Sequence, residues 1–212
     1  MKKFVFALLS VAFAVSAFTG CRANVPQDTS GDIVPTTTTQ PVQTTPTQTT
    51  AGNETKNQSV EILQSIWNQY AEEERFASYG GDIENSIADA PGSLDVKNAE
   101  EMVNRYLLPE DHLASVDEGA SLVHMMNNNI FTGVAVKMAT SADMPGLYEA
   151  WRDAIQKNLW ICGQPDRLLM ADVGGTHLLM VFGSTEAVQT FSDKLSAAYP
   201  QARVLYVEAI VS

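Results

Sequence analysis

Two apolar, β-rich runs, 167–173 and 176–182, are separated only by Gly174-Gly175. A two-residue hairpin turn that matches strand twist needs positive φ at its centre, which glycine adopts without a steric penalty. The glycine pair therefore commits both runs to adjacent antiparallel strands, and the rest of the chain must be arranged around that ribbon. Upstream, Thr132, Val134, Val136 and Met138 alternate with Phe131, Gly133, Ala135 and Lys137, which predicts a strand over 129–139. Between it and the hairpin, Asp143 as cap, Pro145 in the first turn and Leu147, Tyr148, Trp151, Ala154, Ile155 and Leu159 on one face predict a helix that Gly163 and Pro165 end. Beyond the hairpin, Ser184 or Thr185 caps a helix carrying Val188, Phe191, Leu195 and Ala198. Pro200 follows, and 203–210 predicts a closing strand.

The order over 129–212 is thus βαββαβ, the ferredoxin-like arrangement. Right-handed crossovers should place both helices on one face of a four-stranded antiparallel sheet. Before it, Thr55 and Gln58 form a capping box, and Ile62, Leu63, Ile66, Trp67 and Tyr70 predict a helix over 58–74. Gly80-Gly81 opens a loop over 80–94. Val96, Ala99, Met102, Val103 and Tyr106 share one face and predict a helix over 95–108 before Pro109. Ser115 with Glu118 is read as the cap of a short helix carrying Leu122, Val123 and Met126. The expectation is one α+β domain over 57–212, with a helical subregion (57–128) and the βαββαβ unit (129–212).

The start of the chain is of a different kind. Lys2 and Lys3 precede an apolar run, 4–18, too short to span a bilayer, and the run ends in Phe18-Thr19-Gly20-Cys21, which looks like a lipobox. Residues 1–20 are read as a signal peptide cleaved between Gly20 and Cys21, with the Cys21 sulfur carrying a diacylglyceryl thioether. Secretion without lipid is the alternative. Two or three acyl chains anchor a protein stably where one does not. Residues 21–56, rich in Thr, Gln and Pro, have too few apolar side chains to offset ordering entropy and read as a disordered tether. The expected location is the extracytoplasmic face of the cell membrane. Loss of Lys2 and Lys3 with the leader takes the formal charge from −12 to −14. Such an acidic chain without a basic cluster is a poor partner for nucleic acid.

The lipobox, the tether and the segment Trp160-Ile161-Cys162-Gly163-Gln164-Pro165-Asp166-Arg167-Leu168 together resemble a family of clostridial, Gram-positive lipoproteins with one C-terminal domain of unknown function. The resemblance covers about 55–212 and implies a cell-envelope location. It carries over no active site.

Chemistry-bearing residues are sparse. Cys162, the one cysteine left if Cys21 is acylated, has His112, His124 and His177 as possible bases for a nucleophilic pair. The alternative is a small apolar side chain. The histidines lack metal-ligand spacing, and Met125, Met126, Met138, Met170 and Met180 suit core packing better than copper ligation. Glu110, Asp111, Asp117 and Glu118 form the densest carboxylate group but lack the order of a calcium loop. No cofactor motif is present. The composition favours a non-enzymatic binding module for an envelope protein or wall polymer. A hydrolase using Cys162 or the acidic group, or a structural accessory of a transport or secretion system, are the alternatives.

Overall fold

The computed structural model describes residues 56–211. The signal peptide, Cys21, nearly all of the tether and Thr55 lie outside the described residues. Within them are four α-helices, α1 (Gln58–Trp67), α2 (Ala99–Tyr106), α3 (Met144–Gln156) and α4 (Thr185–Ala198). Eight strands accompany them: β1 (Ser78–Gly80), β2 (Ile87–Ala88), β3 (Gly92–Leu94), β4 (Val116–His124), β5 (Phe131–Met138), β6 (Arg167–Val173), β7 (His177–Gly183) and β8 (Arg203–Ala209). The architecture is α+β, as the sequence predicts.

Every strand pair is antiparallel, and the sheet runs β2-β1-β4-β5-β7-β6-β8, with β3 following β1 along the same edge of β4. In a ferredoxin-like sheet the last strand pairs with the first of the βαββαβ unit. Here β4 already occupies that edge of β5, so β8 closes on β6 at the opposite side. The helices change position as a result. The crossovers β5-α3-β6 and β7-α4-β8 travel the same way across the sheet from antiparallel starting strands, so crossovers of one hand must lie on opposite faces. They do. Met144, Leu147, Trp151 and Ile155 of α3 pack with Met102 and Tyr106 of α2 on Val134, Val136, Met170 and Met180. On the other face Val188, Phe191 and Leu195 of α4 join Leu63, Ile66 and Trp67 of α1 on Leu122, Phe131, Leu169 and Val181. The result is a three-layer sandwich rather than a sheet covered on one side. Each fully buried large apolar side chain contributes roughly 1.5–3 kcal/mol, and both layers are built from such residues.

Several local expectations are also corrected. The region 57–128 is not a helical subregion, because it supplies β1 to β4. The segment read as a short helix is β4. A bulge at Asp117, between the register pairs Val116–Met138 and Glu118–Lys137, breaks its alternation. That bulge turns Glu118 toward α1, where its Oε1 accepts the Ser59 N–H at 2.8 Å. Asn57 caps α1, accepting from Val60 N at 3.0 Å. The helix stops at Trp67, well short of 74. The following turn places Glu74 Oε2 at 2.6 Å from Lys194 Nζ on α4. Asp143 stands at the N-cap of α3 without a capping side-chain bond, whereas Ser184 caps α4 by accepting from Ala187 N. Gly174 and Gly175 take φ of +69° and +76°, as the hairpin requires. The turn includes Thr176 as well, because Val173 faces His177. A second bulge leaves Leu205 of β8 without a partner on β6, since Met170 pairs with Tyr206 and Ala171 with Val204.

Candidate functional site

One end of the α2/α3 face opens into a groove of about 1050 Å³, walled by helix α2 and three loop segments that are distant in sequence. The first loop follows β1. Gly80 and Gly92 cross so closely that a Cβ on Gly92 would lie 2.5 Å from the Gly80 carbonyl, so only glycines let β1 and β3 share the edge of β4. The chain leaves this crossing through Gly81 (φ +93°), whose N–H donates to Ser121 Oγ at 3.0 Å. The loop is then pinned to α2 and its approach. Asp82 Oδ1 accepts from Asp95 N at 2.8 Å, and Ile83 N donates to Glu101 Oε1 at 3.2 Å.

Helix α2 forms the second wall, capped by Asn98, whose side chain accepts from Glu101 N. Its Arg105 pairs with Glu101 at 3.3 Å, donates to Tyr79 Oη and lies 5.1 Å from the Tyr79 ring centre. Tyr79 in turn donates to Asn128 Oδ1 at 3.1 Å, reaching the β4–β5 turn that makes the third wall. From that turn Asn129 donates to the carbonyls of Ile161 and Gly163, which fixes the fourth wall, the segment after α3. Trp160 anchors this last segment edge-on to Phe182 at 5.0 Å. Leu159 and Ile161 on either side are 90% and 81% exposed. Placing Leu159 on the buried face of α3 is therefore corrected: the helix ends at Gln156.

The groove carries five carboxylates, Asp82, Glu84, Asp95, Glu100 and Glu101, against the one guanidinium of Arg105. Burial, reinforced by Asp82 and Asp95, holds the Glu101 carboxyl above the ordinary range despite the opposing pull of Arg105. Among the described residues, the side-chain amides of Asn85, Asn104 and Asn158 and the carboxylates of Glu84 and Glu100 have no hydrogen-bond partner, and the buried Nε1 of Trp160 has no acceptor. The rim is aliphatic, with Ile83 66% exposed opposite Leu159 and Ile161.

The chemistry-bearing residues singled out from sequence are not brought together. Cys162 is exposed beside the groove with φ of +64°, and no histidine is hydrogen-bonded to it. His124 accepts from Met126 N and Asn127 N and stacks on Phe76. His177 is buried, with Nδ1 against Thr176 Oγ1 at 3.0 Å and Nε2 3.7 Å from Glu118. His112 belongs to the 3-10 turn Glu110–Ser115, with Glu110 and Asp111. Asp117 is at the bulge and Glu118 holds α1, so the acidic group is divided among separate structural tasks. Met138, Met170 and Met180 are core residues, whereas Met125 and Met126 are exposed. Among the described residues no three His, Cys, Asp or Glu side chains converge as metal ligands, and no helix is long and apolar enough to cross a membrane.

The groove itself is absent from the sequence reading. Its asparagines are spread from 85 to 158 without helical or strand spacing. The local signals were Asn127-Asn128-Asn129 and the apolar trio Leu159-Trp160-Ile161 just past a helix end. No family model, curated protein or solved structure matches the chain.

Proposed function

We propose that the protein is a non-enzymatic binding module, held on the extracytoplasmic face of the cell membrane through lipidated Cys21, and that the groove is its binding surface. The observation that carries the proposal is an exposed aliphatic rim, Ile83, Leu159 and Ile161, around a cleft in which the buried Trp160 Nε1 has no acceptor. Among the described residues, the exposed amides of Asn85 and Asn104 and carboxylates of Glu84 and Glu100 are bonded to no other part of the fold and are free to meet a ligand. At about 1050 Å³ the groove lies at the upper end of the roughly 300–1,000 Å³ range of small-molecule sites and has room for a segment of a larger molecule. A hydrolase is disfavoured by the geometry of Cys162, which lacks a base within hydrogen-bond reach. The lipobox and tether support the location, and the resemblance to clostridial lipoproteins agrees with it. The βαββαβ order of 129–212 is interpreted as a ferredoxin-like unit whose last strand has moved to the far edge.

Fractionation of a Gram-positive host expressing the full chain tests the anchor. Wild type should be recovered with membranes, and Cys21→Ser should be released or remain unprocessed. Mature Cys21→Ser protein that stays in the membrane fraction would refute the anchor.

A further inference from the structure

Resting on the groove as the binding surface, we propose that its ligand is an extended polypeptide segment bearing a basic side chain flanked by aliphatic ones. Charge excludes the opposite class. Arg105 is already engaged by Glu101 and Tyr79 and its remaining nitrogen, Nε, is buried, so an incoming phosphate or carboxylate would meet Glu84 and Glu100 with no accessible cation among the described residues. A lysine or arginine would find unpaired carboxylates. Free carboxamides offer both a donor and an acceptor, which matches the alternating C=O and N–H of an extended backbone. The exposed surfaces of Ile83, Leu159 and Ile161 are aliphatic and suit Leu, Ile or Val side chains. A glycan would instead seek open aromatic faces, whereas the aromatic side chains lining the groove are the buried Phe182 and Trp160, which is half-buried against the core.

The test uses the full chain in detergent micelles and three dye-labelled probes. One is an octapeptide mixture with Lys or Arg fixed at the centre between Leu, Ile or Val, the second is the same mixture with Glu at the centre, and the third is a chitin-type tetrasaccharide. The basic mixture should bind at least tenfold more tightly than the acidic one, and added salt should weaken it. The Glu84→Gln/Glu100→Gln double variant should lower its affinity severalfold, and Leu159→Ser/Ile161→Ser about tenfold. These positions are exposed at the groove and hold no part of the fold together, so loss of folding is not the expected confounder. Equal binding of the acidic and basic mixtures would overturn the proposed ligand. Binding of the tetrasaccharide alone, lost in the groove variants, would overturn the peptide class and leave the groove as a binding surface. If neither variant alters binding of any probe, the groove itself is refuted as the site.

Discussion

Replacing Gly92 by alanine places a methyl group where β1 and β3 cross. Its Cβ would stand 2.5 Å from the carbonyl carbon and oxygen of Gly80 and 2.6 Å from Gly81 N, all backbone atoms. Favourable contact begins near about 3.5 Å, so the strands must part by about 1 Å. That movement stretches the Gly81–Ser121 bond (3.0 Å) and the Asp82–Asp95 bond (2.8 Å) beyond hydrogen-bonding range. Two bonds at about 0.5–1.5 kcal/mol each, with about 1–3 kcal/mol of overpacking, give a destabilisation of about 4 kcal/mol. With a urea slope of about 2 kcal/mol/M, the midpoint followed by tryptophan fluorescence should fall by about 2 M. Gly174→Ala is the comparator. It has φ of +69° but no atom within 4 Å of the added carbon, so only the left-handed backbone penalty of about 1–2 kcal/mol applies. If Gly92→Ala is no less stable than Gly174→Ala, the close crossing does not organise this wall of the groove.

Two further predictions probe the core and its titration. Trp151, fully buried, donates from Nε1 to the carbonyl of Tyr106 at 2.8 Å. Trp151→Phe leaves that carbonyl unpaired at the end of α2 and should cost about 2–3 kcal/mol in thermal or urea unfolding. An unchanged midpoint would refute the role of this bond. Burial depresses the His177 pKa, although the Glu118 carboxylate pulls it upward. The unfolded chain therefore takes up this proton first, so the contribution of His177 is intact above the unfolded value, about 6.5, and is lost as pH falls from there through the lower native value. His177→Gln should lessen the fall in urea midpoint between pH 7.5 and 5, and an identical fall in both proteins would refute the assignment.

The second half of the chain was legible because its elements are long enough to show a period. β5, α3, the β6–β7 hairpin, α4 and β8 all form where alternation, helical spacing and Gly174-Gly175 predict them. Their order in the sheet was not legible, since it depends on which strand first takes the free edge of β5. That strand, β4, was hidden by the extra residue Asp117, which shifts its alternation and turns the polar Glu118 toward α1. β1, β2 and β3, at two or three residues each, are too short to show any period. The groove was opaque for a related reason. Its walls meet only after α2 and the segment beyond α3 are brought to the same end of one face. Leu159, read from its spacing as part of the buried helix face, gave the wrong sign by being exposed.

The bulge at Leu205 has a consequence at the scale of many molecules. Among the described residues β8 ends the sheet with an unpaired edge, and Val204 and Val207 on it are 45% and 43% exposed. An edge of this kind invites a second copy to extend the sheet. A strand aligned along 206–209 would meet the bend and the shifted side-chain phase at Leu205, which disturbs regular pairing toward Val204. Copies crowded on one membrane through the proposed anchor would then meet at an edge whose pairing is disturbed at the bulge, which works against extended ribbons.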